Sequence, residues 1–212
     1  MSGKGSNCCK SISSGEAITL RDKQKRRRAQ RENIQRDLRL YGEKLLDSEE
    51  MRQAFRQKHH TLSTVGEHTM RVAMTSLAIC YALKKLHVKT DIQAVVTGAL
   101  GHDLGILGRN EKFASSRECS RQHPADSAQL AEKLMGELPK KTSDIITRHM
   151  WPVGKSKPPN SLEAAIVSAA DKIAAVEDFV EGYEEKRPGI KAVAREIRNR
   201  RKESTEWTRK NG

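Results

Sequence analysis

Residues 97–108 read TGALGHDLGILG and set His102 and Asp103 side by side at the end of an apolar stretch. An imidazole and a carboxylate among core residues cost free energy unless a cap, an ion pair or a metal satisfies them. The same question recurs along the chain. His68 shares a helical face with Val72, Thr75 and Ile79, at spacings of four, three and four. His123 precedes Pro124, and His149 lies four residues after Ile145. Asp171, in IVSAADKIAA, has Val167, Ser168, Ala174 and Ala175 on its own side and needs a cation there. Taken singly, each has an ordinary explanation. A lone inward histidine bonds a backbone carbonyl, and Asp171 can pair with a helix-borne arginine, Lys172 pointing about 100° away. A protonated His102 is favoured by a helix C-terminus. Taken together, imidazoles and carboxylates from several helices form the donor set of a divalent ion such as Mn, Fe, Mg or Zn. Two carboxylates and four imidazoles exceed what one ion needs, which points to two.

The elements that must position these groups all read as helices. Ser48 with Glu49 and Glu50 marks one start, and Ser63 or Thr64 caps a long helix ending near Leu86 and His87. Thr90-Asp91 caps IQAVVTGALGHD, which Gly105 closes, and a polar loop is expected over 106–122. Pro124 suits the first turn of a helix over ADSAQLAEKLMGEL. Thr142 or Ser143 caps SDIITRHM, and Asn160 or Ser161 caps SLEAAIVSAADKIAAVEDFVEGY. No stretch alternates with period two between turns, so the expected fold is all-α. The expected organisation is a Ser/Gly-rich disordered leader (1–20), a basic helical extension (21–42), a central domain (43–185) and a basic C-terminal helix and tail (186–212).

The net charge of +13 sits entirely at the ends. Residues 21–39 carry nine basic and three acidic side chains, and 186–212 carry ten and three. Residues 40–185 hold 19 basic and 20 acidic groups and are balanced. Basic ends on a neutral centre fit a polyanion such as RNA, DNA or an anionic membrane surface, and equally fit solvated arms that aid solubility. No apolar run approaches the ~20 residues of a membrane span, and the N-terminal residues have no apolar signal core; a cytoplasmic protein is expected. Cys8, Cys9, Cys80 and Cys119 form no CxxC pair, and Cys80 reads as a small core residue.

The order His68, His102-Asp103, Asp171 resembles the HD-domain superfamily of metal-dependent phosphohydrolases, named for its adjacent His-Asp pair. The resemblance spans roughly residues 55 to 180. EHTMRVA is similar to the family's first motif, GALGHDLG to its second, and HPADSAQLAEKL to the histidine-bearing segment of its dinuclear branch. RHMWPV followed by PPNSLEAAIVSAADKI resembles a branch of small bacterial HD proteins.

The resemblance implies an HD-domain helical bundle in which His68, His102, Asp103 and Asp171 ligate a first ion. Asp103 would reach a second, completed by His123 and His149. His102 and Asp103 are thereby the implied catalytic pair. The implied reaction is hydrolysis of a phosphomonoester or phosphodiester, of a nucleotide or nucleotide-derived signal, by water acidified at the metals. A binding module for nucleotide or RNA, with a structural metal site, is the alternative. In the cyclic-dinucleotide-cleaving branch a lysine stands where this chain has Ile106, and that branch's GYP motif is not found here. Substrate phosphate needs cations beyond the metals; Arg148, Lys155 and Lys157 are the candidates, with Arg109 and Arg121 in the 106–122 segment. His60, eight residues before His68, is read either as a residue supporting the metal ligands from behind or as a helix-start residue, the structural role being preferred, and His59 and His87 are read as surface residues.

Overall fold

The computed structural model describes residues 19–59, 63–153 and 156–186. The expected leader up to residue 18 and the expected basic tail from 187 lie outside the described residues. The described chain folds as α1 (Leu20–Leu46), α2 (Glu49–Ala54), α3 (Val65–Lys85), α4 (Ile92–Gly101), a 3₁₀ turn (Leu104–Ile106), α5 (Arg109–Lys112), α6 (Ser116–Met135), α7 (Lys140–Arg148) and α8 (Leu162–Lys186). No strand occurs among the described residues, only one isolated bridge between Lys58 and Thr64. The all-α expectation therefore holds. None of the described helices is long and apolar enough to cross a membrane.

The centre of the bundle is α4. Its sequence, IQAVVTGALG, is apolar or small on every side, and a helix apolar all round has to be enclosed. Every residue from Ala94 to Gly101 is buried. Asp91 caps it, its Oδ1 accepting from the Ala94 amide at 3.0 Å. Around α4 pack α1, α3, α7 and α8, while α6 covers the 3₁₀ turn and α7.

The N-terminus of α3 is a reciprocal capping box. Thr64 Oγ1 accepts from the Glu67 amide at 3.2 Å, and Glu67 Oε2 accepts from the Thr64 amide at 2.8 Å. The buried stripe of α3 is His68, Val72, Ser76 and Cys80, flanked by Thr69, Ala73 and Leu77. Thr75 and Ile79, expected on the His68 face, sit at its edge.

Two expectations about the later helices are corrected. The segment 106–122 is not a loop: α5 and the first turns of α6 occupy it. Ser115 Oγ caps α6 by accepting from the Glu118 amide at 3.1 Å, and Glu118 Oε2 accepts from the Ala114 amide at 2.8 Å. That cap starts the helix early and leaves Pro124 in its interior, where its missing N–H removes one helical hydrogen bond. Likewise α7 starts at Lys140 behind Pro139, ahead of the expected Thr142 or Ser143 caps. Ser161 caps α8 through the Ala164 amide at 3.1 Å, and Asn160 instead donates to Asp144 Oδ2 at 2.8 Å.

α1 is one continuous helix of 27 residues. Ile34, Leu38, Gly42 and Leu45 are buried, whereas residues 20–29, with Arg31 and Glu32, are exposed. Asp37 ties α1 to α3, accepting from the Tyr81 hydroxyl and from Arg36.

The turn after α4 brings its backbone against α6. Gly105 donates to Ser127 Oγ at 2.8 Å. A Cβ at Gly105 would lie 2.6 Å from the Ser127 amide nitrogen and closer still to the His123 carbonyl oxygen. Backbone atoms cannot rotate away, so Gly105→Ala is expected to cost about 2–3 kcal/mol, the upper part of the usual range for overpacking. Thermal unfolding of the purified variant measures this; an unchanged midpoint would show that the turn yields freely.

Candidate metal centre

Six polar groups from five places in the bundle meet around Asp103. His68 comes from α3, His102 and Asp103 from the end of α4, His123 from α6, His149 from the end of α7 and Asp171 from α8. All are buried, His102 completely. Every metal-site residue expected from the sequence is therefore brought into one cluster.

Backbone hydrogen bonds fix which ring nitrogen faces inward. His102 Nδ1 lies 2.7 Å from the Ala99 carbonyl, His123 Nδ1 2.7 Å from that of Cys119, and His149 Nδ1 2.6 Å from that of Ile146. A carbonyl only accepts, so each Nδ1 must carry the proton and donate it. Each Nε2 then turns a lone pair, or a second proton, towards Asp103. His68 follows the same rule through a side chain, donating from Nδ1 to Asp178 Oδ2 at 2.8 Å. Histidines that ligate a metal are held by this kind of outward N–H bond.

Asp103 divides the imidazoles between its two oxygens. Its Oδ1 faces His123 Nε2 at 3.3 Å and His149 Nε2 at 3.5 Å. Its Oδ2 faces His102 Nε2 at 3.5 Å, His59 Nε2 at 3.7 Å and His68 Nε2 at 3.9 Å. Asp171 Oδ1 closes the second side, 3.0 Å from His68 Nε2 and 3.9 Å from His102 Nε2. Most of these separations are too long for hydrogen bonds, which run at about 2.7–3.2 Å. Those of 3.3–3.5 Å match neighbouring ligands of one ion, which at metal–ligand bonds of about 2.1 Å stand roughly 3–3.5 Å apart, and those of 3.7–3.9 Å are a few tenths of an ångström wider. His102 Nε2, fully buried, has no hydrogen-bond partner within the protein. His123 Nε2 and His149 Nε2 lie 3.1 Å apart, a contact that needs a proton on one of them or a metal ion held by both. The donor set thus fits divalent metal on both sides of Asp103, and His68, His102, Asp103, His149 and Asp171 fall into tight ligand groups of three.

Protons take part of that role in the protein alone. Burial would lower the His68 pKa, but hydrogen bonding to Asp171 and the charge of Asp103 push it up to about 9. Burial is likewise outweighed at His123, which Asp103 and the Cys119 carbonyl push up to about 10. Burial wins at His102, pulled down to about 4. Asp103 and Asp171 are held below the usual carboxylate range by the surrounding imidazoles in spite of burial. His68 and His123 are raised above the unfolded value of about 6.5, so their contribution to stability is complete below pH ~6.5 and lost as pH rises through 9–10. The metal-free protein is therefore expected to melt at lower temperature at pH 10 than at pH 7. A metal must displace the same protons, so its affinity should rise with pH over that range. Calorimetric titration in buffers of different ionisation enthalpy will count the protons released; none released at pH 7.5 would contradict the assignment.

The centre opens into a cavity of about 460 Å³ lined by His59, Asp103, Ile106, Arg109, His149 and Lys172 among others. Two side chains here correct the sequence reading. His59, expected at the surface, has only 9% of its side chain exposed and stacks on His68 with ring centroids 4.6 Å apart. Lys172, expected to point away from Asp171, pairs with its Oδ2 at 2.8 Å and donates to the His149 carbonyl at 2.6 Å. Its four-carbon stem sweeps back across the helix face, which a Cα direction does not capture. Asp178 was missed, although it lies seven residues after Asp171 and so on the same side of α8.

Arg148 and Lys157 line a different pocket of about 470 Å³ with Arg121 and Asp144, which shares Ser120 with the metal-facing cavity. Arg148 is engaged there with Asp144 at 3.3 Å and the Pro158 carbonyl at 2.9 Å. Lys155 and His60 lie outside the described residues. Among the described residues, Arg109 is the candidate phosphate-binding cation that lines the metal-facing cavity.

An HD domain family model matches residues 65–176, more than half of the chain. The matched span runs from the first residue of α3 into α8 and contains the six clustered residues, but neither His59 nor Asp178. Searches of curated proteins and of solved structures gave no match.

Proposed function

The chain belongs to the HD domain family, and on that footing we propose that it hydrolyses a phosphate ester at a centre of two divalent ions. His68, His102, Asp171 and Asp103 Oδ2 would hold one ion, and Asp103 Oδ1, His123 and His149 the other. The observation that carries this reading is the division of imidazoles between the two oxygens of Asp103. A carboxylate shared in this way would let two ions act on one phosphate group. An imidazole-rich set favours Mn, Fe or Zn over Mg.

When bound, such ions bring the pKa of water towards ~7 and neutralise charge on phosphoryl oxygens. The chain's own groups do the rest. Burial of His102, which is fully enclosed and does not line the cavity, strengthens its charge interactions. Lys172 places an ammonium beside Asp171, inside the cavity wall. Arg109 offers a guanidinium for the non-reacting phosphate oxygens, a geometry suited to bidentate contact. A cavity of about 460 Å³ is in the range of small-molecule sites and admits a mononucleotide-sized ester; a nucleotide or nucleotide-derived signal is the proposed substrate class, and the cytoplasm the proposed location. Metal analysis of the purified protein and turnover of a generic aryl phosphate test the reading, followed by a screen of mononucleotides, cyclic dinucleotides and short oligonucleotides. About two equivalents of metal and metal-dependent turnover are expected. Protein that binds no divalent metal would overturn it.

A second role is supported by α1, whose exposed first half carries Arg21, Lys23, Lys25, Arg26, Arg27, Arg28 and Arg31. This helix, with the basic residues 186–212 of the sequence, would bind RNA or another polyanion, with or without catalysis. Replacing those seven side chains by glutamine is expected to weaken binding of a short RNA at low salt and flatten its salt dependence. Substitution is preferable to trimming 21–39, because Leu38 is core. Unchanged affinity and salt slope would remove this role.

A further inference from the structure

We infer that His59 is a further ligand of the metal centre, on the Asp103 Oδ2 side; the inference rests on the proposed binding of divalent metal there. His59 Nε2 stands 3.7 Å from Asp103 Oδ2, between the distances of His102 at 3.5 Å and His68 at 3.9 Å to the same oxygen. At 3.7 Å it is no hydrogen bond to that carboxylate; it is a few tenths of an ångström wider than neighbouring ligands of one ion and no wider than the range spanned by His102 and His68. With His68 and Asp103 it forms a group whose donor atoms all lie within 4.8 Å of one another.

The backbone is built to hold the ring in place. Gln57 clamps the turn after α4 from both ends, its Nε2 donating to the Ile106 carbonyl at 3.0 Å and its Oε1 accepting from the Gly108 amide at 2.8 Å. The Gln57 carbonyl accepts from the Val65 amide at 2.9 Å, and the His59 amide donates to the Ser63 carbonyl at 2.9 Å. Arg109 Nη1 donates to the His59 carbonyl at 3.3 Å. Two residues from His59, then, the chain is fastened to the His-Asp turn, and His59 itself to the start of α3 and to α5. A surface histidine needs no such fixture. His59 would fill a coordination position on the cavity side, where it bears on how many positions remain for water and substrate.

The test uses Co²⁺ alone as the probe, with full-length wild type, His59→Ala and His59→Gln, the last keeping size and polarity should the alanine variant fold poorly. Chelator competition and the visible absorption of the Co²⁺ form are read, with no substrate present. Expected are affinity for one Co²⁺ lowered tenfold or more, a changed absorption band, and return of the wild-type band when imidazole is added to His59→Ala. Wild type and both variants with the same spectrum and affinity would overturn the inference and leave His59 a ring packed on His68, with the proposed metal centre intact. Wild type that takes up no Co²⁺ would overturn both.

Discussion

Replacing Asp103 with asparagine is expected to cost the protein both its bound metal and its hydrolytic activity. Asparagine keeps the shape of the side chain but removes the charge on which five imidazole nitrogens converge. An amide offers one oxygen, so it cannot face ligand groups on both sides. Its NH₂ can donate to an inward Nε2, so the fold should survive and the loss be one of function. Turnover of an aryl phosphate should fall by at least about 10³-fold, the scale of removing a preorganised charge from a reacting centre, and elemental analysis should show at most one residual equivalent. In the metal-free variant the pKa of His123 should drop from about 10, since Asp103 is a main cause of its elevation. Undiminished hydrolysis by this variant would sink the proposed chemistry.

The second large effect concerns Asp178, which touches no expected ligand oxygen and lies outside the matched family span. It is 3% exposed, accepts from His68 Nδ1 at 2.8 Å and pairs with Arg71 Nη2 at 3.1 Å. An anion behind an imidazole makes the opposite nitrogen a stronger donor to metal and locks its direction. Asp178→Asn is therefore expected to weaken metal binding 10–100-fold and to destabilise the protein by about 1.5–3 kcal/mol, as for a hydrogen bond to a charged group. The signature differs from that of the Asp103 variant. Excess metal should restore most turnover, because every direct ligand is still present. Chelator titration with activity measured across metal concentrations distinguishes the two; loss that no metal concentration repairs would place Asp178 among the direct participants.

The contrast between these two residues shows where the sequence is informative. His68, His102, His149 and Asp171 each lie in or at the end of a helical run whose period is readable, so a polar residue on the inner side stands out, whereas His123, expected just ahead of a helix, is picked out by the resemblance of HPADSAQLAEKL. Asp178 has the same claim through its spacing from Asp171, but it sits in VEDF beside Glu177, where an acid looks like ordinary solvated surface. His59 has no period to be read against, since it follows α2 in non-helical chain and acquires its place only through the Gln57 and Arg109 bonds. Pro124 misled for another reason. A proline is a strong start signal, yet Ser115 with Glu118 supplies two hydrogen bonds upstream, and the helix they start runs through Pro124 at the cost of one hydrogen bond. Arg148 shows a further limit: neighbouring residues along a helix point in different directions, so adjacency to His149 says nothing about sharing its cavity.

The unbroken course of α1 has a mechanical consequence. Because one helix supplies both Leu38, Gly42 and Leu45 to the core and the cationic residues 21–31 to solvent, no hinge separates them. At 1.5 Å per residue the exposed part is a stiff strut of roughly 20 Å. A flexible tether spreads its cargo over many distances, whereas a strut offers one. A polymer gripped along it would be presented to the bundle at a fixed reach, where effective concentration is either high or close to zero depending on geometry alone. The arm would act as a ruler, and a glycine pair placed near residue 33 would turn it into a leash.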